Sequence, residues 1–194
     1  MNVRKLKNFI LQKIGNEIPD TLKYHGIHHT IEVYDTCNKY IKRLKLAPKE
    51  GYLLRSAALL HDIGIMWNYG NHEESGMEYA RKILPDWGYS KNDIERICGM
   101  MAATRIPQQP QNLLEQIICD ADLDYLGTDK FYSIGETLFE EFKIYGIVKD
   151  EESWDKLQIN FLDAHRYHTD FAKRNREPVK REYLKILKSK WNID

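Results

Sequence analysis

Residues 52–64, YLLRSAALLHDIG, pass through Leu53, Leu54, Ala57, Ala58, Leu59 and Leu60 before ending on an imidazole beside a carboxylate, His61 and Asp62. Leu and Ala on most faces of a helix mark it as central, enclosed by other helices. Two good metal ligands at the end of such a helix are expensive to bury unless something binds them. From this pair alone, a plain helix end with Asp62 in solvent and His61 in an ordinary hydrogen bond reads equally well. The surrounding chain has to decide.

On the N-terminal side lies KYHGIHHTIEVYDTCNKYIKRLKL, residues 23–46. Ile27, Ile31, Tyr34, Cys37 or Asn38, Ile41 and Leu44 form a helical stripe that stops near Ala47-Pro48. His25 and His29 differ by four and share a face if the turn through Gly26 is helical, whereas His28 points elsewhere. A lone histidine there is more often structural; two on one face weaken that reading. Further upstream, Val3, Leu6, Phe9, Ile10 and Ile14 give a short apolar stripe among Arg4, Lys5, Lys7 and Lys13. That pattern suits a first helix packed on the domain better than a membrane-surface helix, because it has no bulky interfacial anchor.

On the C-terminal side, IGIMWNYGNHEESGMEYARKIL passes a Gly/Asn-rich connection in which Trp67, Tyr69 and Gly70 can border a pocket. Helical periodicity resumes through Met77, Ala80, Ile83 and Leu84. His72 and Glu73 stand where that helix begins, and capping by Asn71 or His72 competes with a functional role. Lys91 to Ala103 forms another helix with Ile94, Ile97, Cys98 and Met101 inward, followed by the loop TRIPQQPQN.

The segment LLEQIICDADLDYLG, residues 113–127, places Asp120, Asp122 and Asp124 directly after a buried stripe. Alternate positions on a helix are turned by about 200°, so only one or two of these carboxylates can face one point. Beyond it, Phe131 to Tyr145 forms an aromatic-rich helix. A long helix from about Ser153 runs through WDKLQINFLDAHRYHT, residues 154–169, with Trp154, Leu157, Phe161, Leu162 and Ala164 inward; His165 and His168 could serve as ligands, but a core-edge or stacking role fits them better. The last helix uses Val179, Tyr183, Leu184, Ile186 and Leu187. Arg174, Arg176, Lys180 and Arg181 gather around Pro178 as a solvated basic face. No alternating strand pattern or repeat competes with an all-α assignment.

Composition narrows the function class. Lys+Arg and Asp+Glu are each 29 in 194 residues, so no net charge favours duplex nucleic acid or a membrane surface. The three cysteines, Cys37, Cys98 and Cys119, are odd in number and lack CxxC spacing, which indicates free thiols in a reducing compartment. With no signal-peptide or membrane-span stretch, the expectation is a cytoplasmic protein that folds as one domain over 1–194. A metal-binding core would occupy 24–127, and a helical extension over 128–194 would pack on it.

Ligands drawn from distant helices imply a pocket inside a bundle. The proposed set is His29, His61, Asp62 and Asp122. Nitrogen and oxygen donors without thiolate suit one divalent Mn, Fe, Co, Ni, Zn or Mg ion. Such an ion acidifies water and neutralises phosphoryl charge, so the chemistry expected is hydrolytic.

The chain here resembles the HD-domain superfamily of metal-dependent phosphohydrolases. YHGIHHT is similar to that family's segment before its first metal histidine, LLHDIG to its central motif and DADLDYLG to its closing motif; His29, His61-Asp62 and Asp122 fall on the ligand positions in order. The resemblance runs from about Tyr24 to Gly127. It implies a compact all-helical bundle, a buried divalent ion, and hydrolysis of a small phosphorylated metabolite or nucleotide, either phosphomonoester or phosphodiester. By the same resemblance His25 lies where some relatives have a general acid, and His72 near a histidine used for phosphate contact or a second ion. The helix over Lys91–Ala103 has no histidine, which favours one ion. Asp62 or Asp122 would orient the attacking water, and Lys23, His72 and Arg105 are the candidate phosphate contacts. The expected partner is therefore a small phosphorylated molecule, with no duplex nucleic acid and no membrane; homodimerisation stays open. The competing class is a non-catalytic metal-containing signalling or protein-interaction domain, in which the ion is structural.

Overall fold

The structure, a computed structural model, describes residues 2–193, and among them every regular element is helical. The helices are α1 (Val3–Glu17), α2 (Ile27–Leu44), α3 (Pro48–Leu60), α4 (His72–Ile83), α5 (Lys91–Ala103), α6 (Leu113–Asp122), α7 (Phe131–Ile144), α8 (Glu151–Ala164), α9 (Asp170–Asn175) and α10 (Glu177–Lys190). Short 3₁₀ turns cover Ile63–Met66, Tyr69–Asn71, Leu84–Trp87 and Asp124–Gly127. The chain forms two compact units, the first ending at Asp122 and the second beginning at Leu123.

In the first unit α3 is the central helix, in contact with α1, α2, α5 and α6. Leu53, Leu54, Ala57, Ala58, Leu59 and Leu60 are all buried, as a helix apolar on most faces requires. α1 buries Val3, Leu6, Ile10 and Ile14, whereas Phe9, expected in the same apolar stripe, is exposed. No helix among the described residues is long and apolar enough to cross a membrane. Local chemistry sets the helix ends. Ser90 and Asp93 form a reciprocal capping box at the start of α5, and Lys49 pairs with the same carboxylate at 2.9 Å. Asn112 Oδ1 accepts from the Leu114 and Glu115 N–H groups where α6 begins.

The HDIG segment owes its path to glycine. A Cβ on Gly64 would lie 2.0 Å from the His72 carbonyl oxygen and 2.4 Å from the Gly76 nitrogen, so the turn after α3 runs directly against the start of α4. Gly64→Ala is therefore expected to lower stability by about 1–3 kcal/mol and to push His72 away from Asp62. Thermal unfolding with metal analysis checks this; unchanged stability would contradict so close an approach.

In the second unit, Leu123, Leu126, Phe131, Ile159, Leu162, Leu184 and Leu187 form the core, and Phe131 stacks on Tyr183 with ring centroids 4.4 Å apart. Three details differ from the sequence expectation. α8 stops at Ala164, which is exposed, because His165 takes an extended conformation (φ −63°, ψ 139°). Val179 and Ile186 on α10 face solvent. Lys180 is wholly buried rather than solvated: its Nζ donates to the His165 carbonyl at 2.5 Å and pairs with Glu177 at 3.0 Å. Burial pushes its pKa down, with the Glu177 carboxylate opposing. His165 stacks on Phe161 and meets Tyr167 edge-on, the core-edge role expected of it.

Asp124 does not share the direction of Asp122. It takes a two-point contact from Arg176, with Nε at 2.7 Å and Nη2 at 3.1 Å. Asp124→Ala is expected to destabilise the protein by about 1.5–3 kcal/mol while leaving bound metal unchanged. Denaturant unfolding with metal analysis measures both, and loss of metal without loss of stability would contradict it.

Candidate metal centre

Four side chains from three separate places in the chain converge in the first unit. His29 comes from the first turn of α2, His61 and Asp62 from the end of α3, and Asp122 from the last residue of α6. His29 Nε2 lies 3.2 Å from His61 Nε2, 3.2 Å from Asp62 Oδ2 and 3.0 Å from Asp122 Oδ1. His61 Nε2 lies 3.0 Å from Asp62 Oδ2 and 3.5 Å from Asp122 Oδ1. All four ligand atoms fall within 4.8 Å of one another, and no other such group occurs among the described residues.

The donor set passes three tests for a divalent cation. Spacings of this size suit ligands adjacent around one ion at about 2.0–2.2 Å. His61 Nδ1 donates to the Ala58 carbonyl at 3.0 Å, which fixes the tautomer and aims the Nε2 lone pair into the cluster. The third test is charge. Burial alone would depress the His29 pKa, but hydrogen bonds to Asp122 and Asp62 outweigh it and raise the pKa to about 9. The same contest ends with His61 well above its usual value, Asp62 being the main opposing charge. Burial would raise both carboxylates, yet the histidines hold Asp62 well below the carboxylate range and Asp122 at about 2. Without an ion, two protons thus balance two carboxylates, and one divalent cation carries the same charge.

A second tier of polar groups borders the ligands. His72 Nδ1 donates to the Tyr69 carbonyl at 3.3 Å, leaving Nε2 3.5 Å from Asp62 Oδ1 and 3.5 Å from Glu73 Oε1. The capping alternative for Asn71 and His72 is not what forms: Asn71 makes no side-chain cap, and its Oδ1 accepts from Arg105 instead. His25 precedes α2, because Gly26 is the extended N-cap residue, so the two histidines do not share a helix face. The His25 ring nevertheless stands 6.2 Å from His29 and 6.0 Å from His72, centroid to centroid. Arg105 Nε approaches Glu73 Oε2 at 3.7 Å. Lys23 is exposed on the turn before α2.

Glu73 was named at the start of its helix but given no role, yet its carboxylate is only 7% exposed and bridges His72 to Arg105. An acidic residue in the first turn of a helix reads as favourable to the helix dipole, and that ordinary role masked it.

The family model for the HD domain matches residues 26–124, just over half of the chain, and takes in all four ligands. The chain belongs to the HD-domain family. Solved structures with this HD fold include a predicted HD superfamily hydrolase from an uncultured Thermotogales bacterium, at 23% identity and TM-score 0.62, covering 98% of this chain and 99% of that one. Bacillus subtilis YpgQ, solved in complex with ADP, is 16% identical with TM-score 0.64 over 97% of each chain. A Lactobacillus plantarum protein is 18% identical with TM-score 0.67, covering 99% of this chain and 97% of that one. At these identities the likeness speaks for the HD fold. No curated protein matches the chain.

Proposed function

We propose that this HD domain is a metal-dependent hydrolase of a small phosphorylated metabolite or nucleotide, acting on a phosphomonoester or phosphodiester. The observation that carries this reading is the gradient of exposure around the cluster. His61 is fully buried, the side chains of Asp62 and Asp122 are 11% and 14% exposed, His72 is 22% and Arg105 is 49%. A purely structural ion would need no polar path to solvent, whereas a substrate oxygen does. The complex of YpgQ with ADP supports the nucleotide branch of the proposal.

His29, His61, Asp62 and Asp122 would hold the ion. When bound, a divalent cation supplies Lewis acidity toward a phosphoryl oxygen and makes water a stronger nucleophile at neutral pH. Asp62 or Asp122 would orient the attacking water. Hydrogen bonding to Tyr69 fixes the His72 ring, so its Nε2 can contact the phosphoryl group or hand a proton to the departing oxygen. His25 is the second candidate for that proton. Arg105 offsets negative charge at the rim, and Glu73 holds both His72 and Arg105 in place. Lys23, exposed on the turn before α2, is the third candidate phosphate contact.

A panel of phosphorylated metabolites and nucleotides assayed with Mn²⁺, Co²⁺ and Ni²⁺ tests the activity. At least one compound should release phosphate or a phosphorylated product, and none should do so after chelation. His72→Ala should keep its metal while kcat falls by about 10²–10⁴-fold if it supplies the proton, and His25→Ala should fall instead if that ring does. A metal-replete protein inert toward the whole panel would point to the non-catalytic class.

A further inference from the structure

Arg105 stands between two places. Its guanidinium faces Glu73, Glu74 and Asn71, and Glu73 in turn faces His72, whose Nε2 lies 3.5 Å from Asp62 Oδ1. Arg105 also lines a groove of about 450 Å³ between the end of α5 and the loop leading to α6. That volume falls within the range of small-molecule sites. Gln108 Nε2 donates to the Cys119 carbonyl at 3.3 Å, the Gln111 backbone N–H to Glu115 Oε2 at 2.6 Å, and Asn112 Nδ2 to Glu115 Oε1 at 2.7 Å. With the loop tied down in this way, the groove is formed before any ligand arrives, which lowers the cost of filling it.

The same ties decide which groups are left for a ligand. Both oxygens of Glu115, the groove's carboxylate, already accept hydrogen bonds. Arg105 is the one cation lining the groove among the described residues, and its contacts are loose. Nε lies 3.7 Å from Glu73, Nη2 lies 4.0 Å from Glu74 and 3.4 Å from Asn71 Oδ1, and the side chain is 49% exposed. Ion pairs so exposed contribute little and exchange readily. A guanidinium carries five N–H donors in a planar fork that matches a carboxylate at two points, and Ala102, Ile106 and Pro107 offer apolar surface beside it. Three carboxylates, Glu73, Glu74 and Glu115, accompany this one cation, so a singly charged anion is accepted at lower cost than a doubly charged phosphate.

We propose that this groove is an effector site for a small monocarboxylate with an apolar body, which draws Arg105 away from Glu73. The effector has no need to reach the metal ion, because it takes a side chain that the metal centre uses. Arg105 then no longer offsets negative charge at the rim, and Glu73 is left as an unneutralised carboxylate beside His72. A phosphoryl group binds less tightly beside that charge, so the effector inhibits. Coupling of this kind is reciprocal: phosphate at the metal centre weakens the effector by the same factor. The inference rests on the phosphohydrolase reading and adds a means of regulating that site.

The test uses the metal-replete full chain, with octanoate, 4-phenylbutyrate and indole-3-acetate as probes, each beside its neutral carboxamide, and inorganic phosphate as the ligand of the metal centre. At least one acid should bind with a Kd of about 1 mM or tighter, and about tenfold or more tightly than its amide, the difference that a charge-assisted contact makes. Saturating that acid should weaken phosphate binding by about fivefold or more, and saturating phosphate should weaken the acid equally. Ala102→Phe, at an exposed position on α5, should abolish acid binding while metal content and phosphate affinity stay unchanged. Ile106→Glu, on the exposed loop, should weaken the acid about tenfold through like-charge repulsion. The proposal is overturned if no acid is preferred over its amide, if both variants bind the acid as before, or if acid and phosphate bind independently. Phosphate release from phosphorylated metabolites is scored separately. Acid binding in the groove without turnover of any compound overturns the hydrolase reading and leaves the effector site standing, and turnover without acid binding does the reverse.

Discussion

Asp62→Ala is expected to lose stoichiometric metal and all measurable turnover, the largest effect of any single truncation. Its Oδ2 stands 3.2 Å from His29 Nε2 and 3.0 Å from His61 Nε2, and its Oδ1 stands 3.5 Å from His72 Nε2. One carboxylate thus joins both imidazole ligands to the neighbouring histidine. Removing groups that merely support a ligand costs about 10–100-fold in metal affinity, so removing a ligand that also organises the others should exceed about 100-fold. Asp122→Ala should come close behind, since it spares the contact with His72. Metal analysis of purified variants with parallel kinetics measures the order. Full metal and normal turnover in Asp62→Ala would contradict the assignment.

Metal affinity should climb steeply with pH, and binding should release protons. Hydrogen bonds to Asp122 and Asp62 outweigh burial and raise His29 to about 9, and His61 is likewise well above its usual value. Both rings therefore carry protons at neutral pH in the metal-free protein and must lose them to coordinate. The logarithm of the binding constant should rise by up to about two units per pH unit near neutrality and less steeply above about pH 9, where His29 has lost its proton. Calorimetry in buffers of different ionisation enthalpy counts the protons directly; pH-independent binding without proton release would count against these ligands. The metal-free protein should show the matching stability pattern. The raised His29 contributes stability that is complete below about pH 6.5 and is lost as pH rises through about 9. The depressed Asp122 contributes stability that is present above about pH 3.9 and is lost as pH falls through about 2.

Helical periodicity made most of the first unit legible. α5 spans Lys91–Ala103 as its pattern indicates, and α3 ends at Leu60, directly before the His61-Asp62 pair. The four ligands were legible because each interrupts or ends an apolar run, where an ionisable side chain needs a reason. Groups whose role depends on distant partners were not. Glu73 becomes buried because Gly64 lets the turn after α3 press on the start of α4, and because Arg105 arrives from another helix end. Asp124 finds Arg176, 52 residues away. Lys180 sits among basic residues in the sequence, and only Glu177, three positions earlier, hinted at its partner. α8 ends without glycine or proline, so the break at His165 had no local signal beyond the Thr169 cap that starts α9.

Asp120 shows where helix geometry alone falls short. The turn of α6 does separate it from Asp122, as its spacing requires, yet it is fully buried. Direction around a helix follows from sequence, but whether that direction meets water or protein depends on helices placed by the rest of the chain.

The most direct test of the metal centre is a crystal structure of the metal-replete protein with anomalous scattering recorded at the edge of the bound ion. One anomalous peak is expected within about 2.0–2.3 Å of His29 Nε2, His61 Nε2 and a carboxylate oxygen from each of Asp62 and Asp122. A peak elsewhere, or four side chains pointing to separate places in a metal-loaded crystal, would contradict the account.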